Sequence, residues 1–360
     1  MKQNIRSIIT GTGSYIPEQR IPNADFENQT FLNADGKPFE RDTKEIIQKF
    51  EEITGIKERR YASDDLLASD MGALAAKKAL KSAGIKAESL DYIIVAHNFG
   101  DVRPDNRRVD MLPSLAARIK HKLEINNPSC VAYDLPFGCP GWLQGIIQGH
   151  YYLTSGEASK VLVIGTETLS RVCDPYDRDS MIYADGAGAI ILEAKEHDSP
   201  MGILAHSTRS DTLEQAYYLN MGKSYHPKSD DTLYLKMEGR KLYHYALTHV
   251  PQAIKSCLAK AEKGLDQVDK VLMHQANDKM DKAILDRLFT LCDMESPPNR
   301  LIMPMTISWL GNTSVATIPT LLDLIIRNKM EGHEIKTGDI VVFASVGGGM
   351  NINSIVYQHE

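Results

Sequence analysis

Val131–Gly156, VAYDLPFGCPGWLQGIIQGHYYLTSG, reads as a strand that turns sharply through Gly138 into a helix ending near Gly156. Cys139 then stands at the N-terminus of that helix. Pro140 suits the first helical position because it has no N–H to lose. Unpaired N–H groups and the positive end of the helix dipole favour a thiolate there, the form in which cysteine attacks an electrophile. Read alone, the segment fits a buried, inert cysteine equally well.

Outward from this segment, short β-branched runs alternate with longer helical patterns, the signature of α/β architecture with crossover connections. Strands are expected at Ile8–Ile16, Leu90–His97, Val131–Leu135, Lys160–Gly165 and Ala187–Glu193, then at Gly202–Ser207, Val268–His274, Asp339–Val346 and Asn351–Gln358. Leu66–Ser82, Arg240–Ala261 and Ser314–Asn328 have the apolar spacing of amphipathic helices. Tyr225–Asp231 is polar and reads as a surface loop. A helix ending at Gly84 precedes LDYIIVAH, and one ending at Gly264 precedes VDKVLMHQ, an internal echo that suggests duplication. Two unrelated α/β units would also produce it.

The chain has 360 residues, above the roughly 250–300 at which a single core stops growing, so two core-forming units are expected. With 41 basic and 47 acidic residues the net charge is −6, which gives no general attraction to nucleic acid or an anionic membrane. No apolar run is long enough to span a bilayer, and MKQNIRSIITGTG lacks the apolar core of a secretory signal. A cytoplasmic protein is expected. The five cysteines (Cys130, Cys139, Cys173, Cys257 and Cys292) are far apart and never form C-x-x-C, so neither a disulfide framework nor a metal site is suggested.

Two further segments carry candidate chemistry. VLMHQAND places His274 and Asn277 just after an expected strand, where polar groups often line a crevice. SWLGNTSVATIPTLLDL puts Asn312 in a glycine-led turn before a helix, where Asn312, Thr313 or Ser314 could simply cap it.

In chain order, GCPGW with Cys139, HQAN with His274 and GNTS with Asn312 closely resemble the three active-site motifs of ketoacyl-acyl-carrier-protein synthase III. The resemblance runs from GTGSYIPEQRIPN through TGIKERR and CDPYDRDSMIYADGAGAIIL to SVGGGMNINSIVY. It implies a thiolase-like duplicated five-layer αβαβα fold, with halves at 1–198 and 199–360, usually assembled as a homodimer. It also implies an acyltransferase that needs no cofactor. Cys139 would take an acyl group from acyl-coenzyme A or acyl carrier protein, then pass it to a second thioester, normally malonyl on acyl carrier protein. The nucleophile must be both attacking and leaving group, which suits a thiolate. His274 and Asn312 would donate hydrogen bonds to the second thioester's oxygen as it becomes an enolate. The backbone N–H groups of Cys139 and Gly348 would hold the acylation oxyanion.

Other positions follow from the same resemblance. Leu112 and Phe137 would shape the acyl tunnel, Leu112 from the partner subunit. Arg178 would pack on the adenine of coenzyme A, and Lys279 and Arg287 would face an acidic carrier protein. The pattern departs where Lys49 and Ile53 replace a tryptophan and an arginine before Thr54-Gly55-Ile56, which weakens the coenzyme A clamp. The His97–Leu123 segment is also longer and more charged than its counterpart. These departures keep open a ketosynthase that joins two acyl thioesters and cyclises them to a dialkylresorcinol precursor. A non-catalytic partner subunit usually lacks the nucleophile. A hydroxymethylglutaryl-coenzyme A synthase or a thiolase matches HQAN, GNTS and the C-terminal GGG less well.

Overall fold

The computed structural model describes residues 4–295 and 301–360. In the first half the main elements are β1 (Ile5–Tyr15), α1 (Thr43–Thr54), α2 (Ala68–Ala83), β2 (Tyr92–His97), α3 (Leu115–Lys122), β3 (Val131–Pro136), α4 (Gly141–Ser155), β4 (Lys160–Thr168) and β5 (Asp185–Glu196). They form a sheet in the order β1-β5-β4-β2-β3, antiparallel from β1 to β4 and parallel from β4 to β3. The second half supplies β6 (Gly202–Ser210), β7 (Leu219–Lys223), β8 (Leu233–Met237), α5 (Gly239–Lys260), β9 (Lys270–Met273), α6 (Asp278–Leu291), α7 (Thr317–Ile326), β10 (Ile340–Gly347) and β11 (Asn351–Gln358). Its sheet, β6-β11-β10-β9, repeats the order and directions of the first four strands. Even the register shift recurs, at Ile9/Gly11 on β1 and Ile203/Ala205 on β6.

Side-chain alternation along the buried strands fixes the layers. From β2 and β4, Ile93, Leu162 and Ile164 face outward to Met71, Ala75 and Ala79 of α2 and Ile119 of α3. Their neighbours Ile94 and Val163 face inward, where Trp142 and Ile146 of α4 meet Ile318 and Leu321 of α7. Phe343 and Tyr357 close the same core from the second sheet. Beyond that sheet, Val342 and Val356 pack on Ile254 of α5 and Leu288 of α6. The result is the five-layer αβαβα arrangement of the thiolase-like fold. Trp142 meets Phe343 edge-on at 6.2 Å, tying α4 to the far sheet. Truncating such a buried aromatic to alanine costs about 3–5 kcal/mol.

Several expectations are corrected. Gly264 does not end a helix: α5 stops at Lys260 with Ala261 as its cap, and Glu262 takes the left-handed turn at φ 54. Gly264 opens a short 3-10 turn before β9. The strand expected at Val268–His274 shortens to Lys270–Met273. Ser314–Asn328 splits into a 3-10 turn, Ser314–Ala316, followed by α7. Helix α1 was not anticipated; Asp42 caps its start and Gly55 its end, and Phe50 packs into a satellite core with Met181 and Ile307. The polar stretch Tyr225–Asp231 connects the hairpin strands β7 and β8, neither of which was expected. Among the described residues no helix is long and apolar enough to cross a membrane.

Candidate active site

Strand β3 delivers the chain to Gly138, whose φ of 69° is a left-handed conformation that glycine adopts without a Cβ penalty. The turn closes when the Gly141 N–H donates to the Gly138 carbonyl at 2.9 Å, and the helix ladder starts with Gln144 N–H on the Pro140 carbonyl at 3.0 Å. Pro140 therefore flanks α4 rather than occupying its first turn, since Gly141 is the first helical residue. Cys139 sits just ahead of the helix.

The end of β10 presses against this turn. A Cβ on Gly347 would lie 2.5 Å from the Cys139 nitrogen, and one on Gly138 would lie 2.7 Å from the Gly348 nitrogen. Only backbone without side chains lets the two segments approach so closely, and it sets the Gly348 N–H next to the cysteine turn.

His274 follows β9 and stays tied to the sheet through its N–H to the Ala344 carbonyl at 2.9 Å. Gln275 of the same HQAN run is buried; its oxygen accepts from Thr306 N–H at 2.8 Å and Ile307 N–H at 3.0 Å, anchoring the turn that leads to Asn312. Asn277 caps α6 by accepting from the Met280 N–H at 3.0 Å. Asn312 accepts the Ser314 N–H on Oδ1 at 2.8 Å, so capping and display coexist: its oxygen is engaged and its N–H donors are left for the cavity it lines.

Cys139, His274 and Asn312 meet in one cavity of about 220 Å³, together with Ser314 and Gly348. Phe99, Leu169, Leu219, Met221 and Leu235 make its other walls largely apolar, with β7 and β8 as a cover. A larger mouth of about 920 Å³ adjoins it, sharing Met237, Leu242, Ala276, Met280 and Asn312. The way in thus passes Asn312.

Electrostatics revise one expectation. Burial raises the Cys139 thiol above its ordinary pKa, and this outweighs the hydrogen bonds from Ser314 and the local backbone that pull it down. The resting group is a thiol poised by its donors, not a standing thiolate. Burial also pushes His274 down to about 4, against the upward pull of Asp281 and the Ser314 backbone. The imidazole is therefore neutral at neutral pH, as a hydrogen-bond donor to an enolate requires. Cys130, Cys173 and Cys257 are buried, and Cys292 lies at the far end of α6.

The outlying candidates separate. Arg178 lines the mouth, with its guanidinium 5.1 Å from the Phe39 ring centroid. Lys49 and Ile53 line it too, Lys49 paired with Glu52 at 3.0 Å. Lys279 and Arg287 are exposed on α6 and lie outside the mouth lining. Leu112 is 89% exposed and Phe137 is half-buried; neither lines the cavity of its own chain. Sequence reading missed Ser314, whose Oγ lies 3.3 Å from Cys139 Sγ, and behind it Asn98 and Glu167. One signal was available: Glu167 interrupts the apolar strand VLVIGTET, and a charged residue in a buried strand needs a reason. Among the described residues no group of three or more His, Cys, Asp or Glu side chains is placed to hold a metal ion.

This duplicated sandwich, with its candidate nucleophile at the seam between two sheets, defines a thiolase-like condensing enzyme. Residues 133–212 match the family described as 3-oxoacyl-(acyl-carrier-protein) synthase III, and residues 258–359 match its C-terminal part. The chain is 32% identical to the beta-ketoacyl-(acyl-carrier-protein) synthase III of Cereibacter sphaeroides, over 98% of this chain and 99% of that one. The corresponding crystal structure from Aquifex aeolicus superposes with a TM-score of 0.79 at 27% identity, covering 98% and 100% of the two chains. That from Thermus thermophilus gives 0.80 at 28%, covering 98% and 99%. The chain belongs to the 3-oxoacyl-(acyl-carrier-protein) synthase III family and is an acyltransferase of the ketosynthase III kind.

Proposed function

We propose that the protein loads an acyl group onto Cys139 and condenses it with a second thioester carried on acyl carrier protein. The observation that carries this reading is the shared cavity of Cys139, His274 and Asn312, with the Gly348 backbone against the cysteine turn. The Cys139 sulfur, once ionised, attacks the donor thioester carbonyl. A new carbon–sulfur bond forms, the donor thiol leaves, and the N–H groups of Cys139 and Gly348 hold the transient oxyanion. The second thioester then loses carbon dioxide, and the freed electron pair becomes an enolate whose oxygen accepts from His274 and Asn312. Its carbon attacks the acyl-cysteine carbonyl and releases the Cys139 thiolate.

The half 1–198 would supply the nucleophile and 199–360 the two donors. A homodimer in the cytoplasm fits the exposed Val109, Met111 and Leu112, which a second copy would cover as it completed the acyl pocket. Delivery by acyl carrier protein is favoured over coenzyme A, because Lys49, in the tryptophan's place and engaged with Glu52, offers adenine no flat ring, and Ile53 lacks the arginine's charge. The test is incubation with a panel of acyl thioesters, intact-protein mass spectrometry for the adduct, then addition of malonyl-acyl carrier protein and product analysis. A linear 3-oxoacyl product supports the reading. A product formed from two long acyl chains without malonate would replace it with the dialkylresorcinol-precursor variant.

A further inference from the structure

Four side chains from four separate segments form a hydrogen-bonded line that ends on the cysteine sulfur. Ser314 Oγ donates to Cys139 Sγ at 3.3 Å. Asn98 Nδ2 donates to Ser314 Oγ at 3.0 Å and to Glu167 Oε1 at 2.5 Å. Glu167 is 1% exposed, and Ser314 is buried with φ 50, a left-handed conformation uncommon for a residue with a Cβ. The Asn312 oxygen holds Ser314 in that conformation by accepting its N–H.

We propose that Ser314 is a catalytic donor to the Cys139 thiolate, and that Asn98, latched by Glu167, is the positioning residue that turns the Ser314 proton toward sulfur. A serine hydroxyl carries one proton, whereas the Asn98 nitrogen can only donate. Once Asn98 donates to the Ser314 oxygen, the serine proton is left for Sγ. Glu167 completes the latch by accepting the second Asn98 proton. Burial, then the nearness of Cys139, pushes the Glu167 carboxyl well above the ordinary range, which works against negative charge beside the thiolate. A hydrogen bond to an ionised acceptor is about twice as strong as one to a neutral group, so the line strengthens as Cys139 loses its proton. It strengthens again each time the thiolate is released by condensation. The proposal rests on Cys139 being the acyl acceptor.

The experiment is the pH dependence of Cys139 alkylation by iodoacetamide in the full-length protein, read by peptide mass spectrometry, beside the rate of acyl loading. Ser314→Ala should raise the alkylation midpoint by about one to two pH units and slow alkylation at pH 7 by about tenfold or more. Asn98→Leu keeps the approximate shape of the side chain without a donor or a charge, so it should raise the midpoint although the Ser314 hydroxyl is still present. A purely structural role for Asn98 would not produce that result. Glu167→Ala should raise the midpoint, and Glu167→Gln, which keeps the accepting oxygen, should restore it. If Ser314→Ala does not fold, Asn98→Leu and the Glu167 pair decide. Unmoved midpoints in these variants, with Cys139 still acylated, overturn the proposal and leave the reading of Cys139 standing. Failure of the unaltered protein to acylate Cys139 with any donor overturns both.

Discussion

His97 ends β2 and His274 follows β9, matching places in the two repeats, yet their surroundings assign them to different work. His97 is fully buried; its Nδ1 accepts the Gly100 N–H at 3.0 Å and its Nε2 lies 2.9 Å from Asp134 Oδ2. Asp134 in turn accepts the N–H groups of Leu115 and Ala116 at the start of α3, at 2.8 and 2.7 Å. Burial works against the charged form of that carboxyl, but the bonds from His97 and the Ala116 N–H hold it below the ordinary range. His274, by contrast, keeps Nδ1 without a hydrogen-bond partner among the described residues and lines the cavity. The same duplication sets Cys139 before α4 and Asn312 before α7, so each repeat contributes one residue at the start of a central helix. Residue type and strand position do not separate the carboxylate-paired His97 from the cavity-lining His274; the partners of the ring do.

The sharpest way to break this comparison is at the central helices. Cys139→Ala should abolish acyl loading altogether while the fold survives, and an acyl adduct on another cysteine would sink the assignment. His274→Ala should load within a few-fold of normal but lose condensation by about 10²- to 10³-fold, as removal of an oxyanion donor typically does, and Asn312→Ala should lose condensation as much while slowing loading by about tenfold, because its oxygen also holds Ser314. Equal losses in both half-reactions would erase the division between the repeats. His274 should also show in stability. The unfolded chain takes up its proton near pH 6.5 and the folded chain only near 4. Stability is therefore full above pH 6.5 and falls as pH drops toward 4, by up to about 1.4 kcal/mol per unit. Denaturant titrations of His274→Ala should be flatter in that window, with a remainder from His150, which burial also pushes to about 4. His97→Ala should do the reverse: condensation per folded molecule is retained, and stability drops by about 1–3 kcal/mol because Asp134 loses its partner. The smallest effect lies on the surface. Lys279→Glu on α6 should slow loading from acyl carrier protein by roughly 3- to 10-fold at low salt and leave loading from coenzyme A thioesters unchanged. No charge effect on the carrier reaction would remove α6 from the docking surface.

Much of the sandwich was legible because most of its buried strands are short runs rich in apolar and β-branched residues. Asn351–Gln358 is reproduced to the residue, and Tyr92–His97 begins two residues late. The hairpin Leu219–Met237 was not legible. Its strands form a small sheet of their own apart from an isolated bridge between Leu235 and Cys173, and the buried face of the second strand holds Tyr234 and Lys236 while Leu233 is exposed, so no alternation of apolar and polar residues marks it. Gly264 misled because a glycine after a helix suggests a cap, whereas the chain makes that turn at Glu262. Cys139, His274 and Asn312 were singled out by motifs, and the structure brings all three to one cavity. The Ser314–Asn98–Glu167 line was not, since its members are brought together only by folding and none has a local spacing to betray it. The pull of burial on the Cys139 thiol was hidden for a related reason: a helix start is visible in sequence, but the lid of apolar side chains above it is not.

The chain's two tryptophans fall where the two repeats meet. Trp142 lies three residues after Cys139 and packs against Phe343 of the opposite sheet, while Trp309 lies three residues before Asn312 on the turn Ile307–Leu310. Intrinsic indole fluorescence from this protein therefore originates only within three residues of the proposed nucleophile and of one proposed enolate donor. Stopped-flow emission would report rearrangement at the seam during acylation without an added dye, and single Trp→Phe variants would tell which repeat responds first.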